Sequence, residues 1–205
     1  MTQAPRTSIL LEMRYDQVRE FFPLLQQGFA VTGRVGCSLD RLLGDQWGMS
    51  SEYVARRVTT IFLDSRAIDD VTTAVVHDGS VVALSGAMPG LVGATMRRGG
   101  FYAAMRGGIS YQSTAAESPE RIGTIRAKLF NLLLPELGPG FLGRGIILKA
   151  SEAAVFFNER TDSFWQGCCN ALVNSAPVDL SVQQNREFPS EGEVFLTVRF
   201  REESE

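Results

Sequence analysis

The sequence predicts an α+β fold, and three observations carry that prediction. Short alternating runs such as Val194-Phe195-Leu196-Thr197-Val198-Arg199-Phe200 put apolar residues on one face, as half-buried strands do. Ser38 and Thr161 stand where side-chain oxygens cap helix starts. No helical crossover follows each strand, so a doubly wound parallel sheet is disfavoured. Hydrophobic residues make up 44% and charged residues 21% of the chain, close to the averages for soluble globular domains.

In chain order, Asp16 to Gln26 reads as a short helix with Val18, Phe21, Phe22 and Leu25 on one side and Pro23 in its middle. Phe29 to Val35 alternates like a strand, and Ser38 caps a short helix through Leu39, Leu42 and Leu43 that closes at Gly44. Val58 to Leu63 is dense in β-branched and aromatic residues and reads as a strand. Ser65-Arg66 turns the chain, and Asp78-Gly79 turns it again into a strand from Ser80 to Leu84. Gln112 to Gly123, polar and containing Ser118-Pro119, reads as a linker. Thr124 to Phe130 is a strand with Ile125, Ala127 and Leu129 on one face. Asn131 to Leu142 is apolar but broken by Pro135, Gly138, Pro139 and Gly140, so only a short helix is expected. Ser151 caps a turn through Val155, and Thr161 caps a helix in which Phe164, Cys168 and Leu172 share one face. The expected division is a first domain at 1–111 and a second α+β domain at 124–205.

Charge and cysteine usage restrict the partners. A net charge of -3 disfavours broad nucleic-acid binding, which needs many cations to displace counterions. No run of 18 apolar residues appears, so no membrane partner is expected, and the protein is expected to be cytoplasmic. The three cysteines, Cys37, Cys168 and Cys169, have no metal-binding spacing and are expected to be free thiols, with Cys168 and Cys169 packing from a helix. No cofactor or metal is expected, and no nucleophile and base can be paired, so the sequence leaves open whether any reaction is catalysed. His77, the one histidine, precedes a turn and is expected to be exposed, while Asp69-Asp70 and Glu202-Glu203 read as a solvated turn and tail.

The segment from Gly79 to Ala116 is the most unusual. Its 38 residues hold no Asp or Glu, three arginines and three of the six methionines. Ala94-Thr95-Met96-Arg97-Arg98-Gly99-Gly100 is echoed by Ala103-Ala104-Met105-Arg106-Gly107-Gly108. Glycines of this kind permit positive φ or close backbone approach, while Met and Arg are enriched at protein interfaces. Residues 86–111 are therefore the expected contact surface for a protein partner or a second copy, through Met96, Met105, the three arginines Arg97, Arg98 and Arg106, and the glycines Gly99, Gly100, Gly107 and Gly108. The alternative is that Arg97, Arg98 and Arg106 grip an anionic small molecule or nucleotide. No phosphate loop of the Gly-x-x-x-x-Gly-Lys-Ser/Thr type is present.

Cys37-Ser38-Leu39-Asp40-Arg41-Leu42-Leu43, then Thr60-Ile61-Phe62-Leu63-Asp64-Ser65-Arg66-Ala67-Ile68-Asp69-Asp70, then His77-Asp78-Gly79-Ser80-Val81-Val82-Ala83-Leu84 follow one another in an order that resembles the ubiquitin-like β-grasp sulfur carriers of molybdopterin and thiamine biosynthesis. The resemblance covers roughly residues 29–90. It implies a sheet wrapped over the helix that Ser38 caps, with Leu39, Leu42, Ile61, Leu63, Val82 and Leu84 buried. Carrier chemistry needs a free C-terminal Gly-Gly, and here Gly99-Gly100 and Gly107-Gly108 are internal. The resemblance thus implies the module rather than its reaction.

Overall fold

A computed structural model describes residues 6–106, 108–111, 119–180, 182 and 187–201. Gly107, residues 112–118 of the expected linker and the acidic tail at Glu202 and Glu203 lie outside the described residues. The chain divides into two compact units, one of residues 1–29 with 135–205 and the other of residues 30–134. Both mix helices and strands.

In the unit of residues 30–134, β2 (Phe29–Val35) leads to a short helix α2 (Leu39–Arg41) that continues as a wide turn to Gln46, then to helix α3 (Ser51–Arg57). Ser38 caps α2 by accepting from the Arg41 N–H at 3.4 Å. Gln46 fastens the turn to β2: its carboxamide accepts from the Arg34 N–H at 2.7 Å and donates to the Arg34 carbonyl at 3.0 Å. Strands β3 (Thr60–Leu63), β4 (Arg66–Ala67), β5 (Val81–Ser85) and β6 (Arg121–Phe130) complete a sheet in the order β4-β3-β5-β6-β2. β3 is antiparallel to β4 and β5, whereas β5 and β6 are parallel. The expected core residues Leu39, Leu42, Ile61, Leu63, Val82 and Leu84 are all buried, as are Ile125, Ala127 and Leu129.

The unit of residues 1–29 and 135–205 uses β1 (Arg6–Arg14), β7 (Ile146–Lys149), β8 (Cys168–Val173), β9 (Ala176–Pro177) and β10 (Glu193–Arg201) in the order β7-β10-β1-β8-β9. β1 and β10 are parallel, and β8 is antiparallel to both β1 and β9. The sequence division at 111–124 and these contact units differ in where the first strand belongs: β1 has its partners near the end of the chain, where its backbone groups pair with β8 and β10. A 3-10 turn (Tyr15–Phe21), helix α1 (Phe22–Gln27), helix α5 (Leu133–Arg144), helix α6 (Ala150–Asn158) and helix α7 (Asp162–Gln166) complete this part of the chain. Phe21, Phe156, Phe157, Phe164 and Trp165 form one buried aromatic cluster.

Three local expectations are corrected. α5 is a full twelve-residue helix. Pro135 falls in its first turn, where a missing N–H costs nothing, and Gly138 lets it approach α1, since a Cβ there would stand 2.7 Å from Leu25 Cδ1. α6 starts one residue ahead of Ser151, with Lys149 at the capping position. Thr161 does cap a helix, accepting from the Phe164 N–H at 3.4 Å, but α7 stops at Gln166 and Cys168 opens a strand. Pairing with β1 outweighs the helical spacing of Phe164, Cys168 and Leu172.

Both sheets use one turn chemistry. Asp64-Ser65 and Asn174-Ser175 carry positive φ at both residues, the conformation of two-residue hairpin turns. In each, the first residue locks onto the next strand of its sheet. The Asp64 N–H donates to the Val81 carbonyl at 2.9 Å while Asp64 Oδ1 accepts from the Val81 N–H at 2.7 Å. The Asn174 N–H donates to the Ser8 carbonyl at 2.8 Å while Asn174 Oδ1 accepts from the Ser8 N–H at 2.9 Å.

Candidate functional site

Residues 86–111, the insertion between β5 and β6, are built as a helix and a 3-10 helix tied to the edge of one sheet. After Pro89, helix α4 (Gly90–Met96) begins on Gly90 at φ 75°. Gly93 packs so closely on Met88 that a Cβ would fall 1.8 Å from the Met88 carbonyl oxygen. The chain turns at Gly99, φ 61°, and coils again as a 3-10 helix over Phe101–Arg106. Of the two echoed glycine pairs, Gly99 is the residue whose positive φ requires glycine, while Gly100 and Gly108 take ordinary φ.

Main-chain and side-chain bonds fasten the insertion to its unit. The Arg98 N–H donates to the Thr59 carbonyl at 2.8 Å, and its guanidinium donates to the Val54 carbonyl at 2.9 Å. Asp69 Oδ1 accepts from the Gly99 N–H at 3.1 Å and from Arg106 Nη2 at 2.5 Å. Ala67 of β4 donates to the Ile109 carbonyl at 3.1 Å and accepts from the Tyr111 N–H at 2.9 Å. The Tyr111 hydroxyl accepts from the Val75 N–H at 3.3 Å.

The three arginines therefore have three different roles. Arg97 is exposed. Arg98 is half-buried, and burial lowers its pKa, an effect opposed by Asp69. The Arg106 side chain is 1% exposed and ion-paired with Asp69, whose side chain is 46% exposed. Arg106 Nε and Nη1 are buried without a hydrogen-bond partner. The two copies of the echoed Met-Arg-Gly unit are thus not equivalent: Arg97 and Arg98 straddle the surface, and Arg106 is an internal strut. Asp69, expected to be solvated, is its counter-ion.

What the insertion presents to solvent is apolar. Phe101 is 93% exposed, Met105 71%, Leu91 69% and Val92 62%, with Tyr102 and Ile109 exposed beside them in sequence. Met88 and Met96 are half-buried. Single exposed apolar residues are ordinary, whereas here six lie on one insertion. Sequence reasoning named Met105 and Met96 but passed over Leu91, Val92, Phe101, Tyr102 and Ile109. The signal was present in the exclusion of every acidic residue from the run that holds them.

Elsewhere, Cys168 is half-buried and Cys169 exposed on β8, so the expected packing of this pair within a helix is corrected. They line a recess of about 310 Å3 with Asn170, Pro177 and Asp179. Burial is the main cause that pushes the Cys168 thiol up to about 11. Among the described residues no group of three or more His, Cys, Asp or Glu could hold a metal ion, and no helix is long and apolar enough to cross a membrane. His77 is half-buried, and its N–H donates to Ser80 Oγ at 3.0 Å. Compared with models of protein families, with curated proteins and with solved structures, the chain matches none.

Proposed function

We propose that this protein is a non-catalytic interaction protein that makes protein contact through residues 86–111. The observation that carries the reading is the cluster of exposed apolar side chains, led by Phe101 at 93% and Met105 at 71%, on an insertion tied down by the ion pair of buried Arg106 with half-exposed Asp69. A segment that merely connected two strands would not need a fully buried arginine to fix it. Buried arginine is rare unless it is paired, and here Asp69 is the partner. The β-grasp kinship enters this reading as a proposal about residues 29–90 alone, resting on the order of a Ser-capped helix, a strand and a turn into a second strand. The partner is a protein surface or a second copy with an apolar patch.

Binding of an anion by Arg97, Arg98 and Arg106 together is the weaker reading. Arg98 is committed to the Val54 carbonyl and Arg106 to Asp69, which leaves Arg97 as the exposed cation of the three. The test is sedimentation equilibrium over a concentration series, run beside phosphate titration, on the protein and its Phe101→Ser/Met105→Ser variant. The interaction reading expects the protein to associate reversibly and the variant to remain monomeric, with phosphate inert toward both. A monomeric protein whose phosphate binding disappears in Arg97→Ala would replace it with the anion reading.

A further inference from the structure

We propose that the unit of residues 30–134 carries a binding site for an amphipathic carboxylate, a hydrocarbon body with one anionic head, distinct from the exposed patch of the insertion. A cavity of about 410 Å3 opens on the face of the sheet opposite its core, lined by Phe62, Ala83, Met88, Pro89, Phe130 and Asn131 among others. That volume lies within the range of about 300–1,000 Å3 that small-molecule sites occupy, and such sites are mostly apolar with a few polar groups that orient the ligand. Here the walls are aromatic and aliphatic. The polar end is Asn131, whose Nδ2 donates to Ser85 Oγ at 3.1 Å and to the Ala87 carbonyl. Both donations use the nitrogen, so this end of the cavity has no free donor for a carboxylate and the head is assigned to the lysine side.

The charge that selects the head comes from the strand register. Ala83 on β5 stands opposite Lys128 on β6, and Ser85 opposite Phe130. Side chains two apart on a strand share a face, so Lys128 emerges on the same face as Phe130 and stands across from the lining residue Ala83, while its own side chain is not part of the cavity lining. Lys128 is half-buried and, among the described residues, makes no hydrogen bond or ion pair. On this face the central strands β3, β5 and β6 contribute Thr60, Phe62, Val81, Ala83, Ser85, Ile122, Thr124, Arg126, Lys128 and Phe130, with no carboxylate. An ammonium group beside an apolar cavity matches a ligand whose hydrocarbon fills the cavity and whose carboxylate meets the lysine. A neutral hydrocarbon would leave Lys128 unused, and a compact anion such as phosphate would leave the cavity empty.

Decanoate and 1-decanol, below their aggregation limits, form a matched pair of probes, read by calorimetry and by the methyl resonances of the protein. Decanoate is expected to bind at least fivefold more tightly than decanol and to shift the Met88 methyl signal. Lys128→Met is expected to reduce decanoate to the level of decanol while leaving decanol unchanged. Ala83→Phe, which fills the cavity, is expected to abolish both. The proposal is overturned if decanoate does not bind, if Lys128→Met leaves the decanoate to decanol ratio unchanged, or if binding leaves the Met88 methyl signal in place. The methyl readout needs no variant, so a poorly folding Ala83→Phe does not remove the test. Sedimentation of the Phe101→Ser/Met105→Ser variant is a separate measurement and bears on the contact surface alone.

Discussion

One oxygen of Asp69 holds both ends of a turn: Oδ1 accepts from Arg106 Nη2 at 2.5 Å and from the Gly99 N–H at 3.1 Å. A carboxylate in the loop after β4 thereby closes the stretch from Gly99 to Arg106 like a clasp and neutralises a guanidinium with no access to water. The exposed side chains between those two points, Phe101, Tyr102 and Met105, are held out by this bond.

Removing the counter-ion is expected to cost more than removing the cation. Asp69→Ala leaves Arg106 buried and unpaired, a change worth about 3–5 kcal/mol in a fully buried pair and about 1–3 kcal/mol here because water reaches the half-exposed carboxylate position. Arg106→Met also deletes two nitrogens that have no partner, so its loss is expected to be smaller. Urea denaturation of both variants gives the order, and equal or reversed losses would show that the clasp is not electrostatic.

The arginines of the insertion are expected to separate in stability. Arg97→Ala should stay within about 0.5 kcal/mol of the parent, as exposed substitutions do. Arg98→Ala should lose roughly 0.5–1.5 kcal/mol with its bond to the Val54 carbonyl. Thermal melts of the two single variants compare them directly, and a larger loss at Arg97 would contradict the assigned roles.

Gly93→Ala is expected to dislodge α4, because the new methyl would meet Met88 backbone, which cannot swing away as a side-chain tip can. The overpacking cost is about 1–3 kcal/mol, and it should appear as faster limited proteolysis between residues 88 and 97. Unchanged proteolysis would mean that the helix shifts freely.

Thiol chemistry should follow burial. In the native protein Cys169 is expected to react first with an aromatic disulfide reagent at pH 8, by exchange to a mixed disulfide, with Cys168 and buried Cys37 slow because burial raises both pKa values. A raised thiol pKa adds stability that is complete below the unfolded value near about 8.5. For Cys168 that contribution is lost as pH rises from there through about 11, since the unfolded chain then releases the proton that the native state retains. Stability measured from pH 8 to 11 should therefore fall, less so in Cys168→Ala. Reductant and chelator are expected to leave the melting temperature in place.

Much of the fold was legible where local chemistry and tertiary pairing agree. Ser38 and Thr161 cap as their sequences imply, β2, β6 and β10 follow their alternation, and β3 and β5 form where β-branched density and the Asp78-Gly79 turn place them. The reading failed where distant residues decide. Arg6–Arg14 is a strand because β10 lies in parallel beside it, across most of the chain length, and a local window cannot detect that pairing. Cys168 left a helical pattern for the same reason. The insertion was identified by composition, but composition does not distinguish a solvated arginine from an internal one. Only the position of Asp69, more than 25 residues upstream in another loop, separates Arg106 from Arg97.

The main-chain bonds that Ala67 exchanges with Ile109 and Tyr111 have a further consequence. β4 is the outermost strand of its sheet, and a bare outer strand is a template for indiscriminate strand-to-strand aggregation. The stretch that ends the insertion occupies that template, so the segment proposed to favour one kind of association guards against another. Deleting residues 86–111 would uncover the guarded edge and produce clumping by strand pairing alone. Point changes at Phe101 and Met105, which leave Ile109 to Tyr111 seated on Ala67, separate recognition from stickiness.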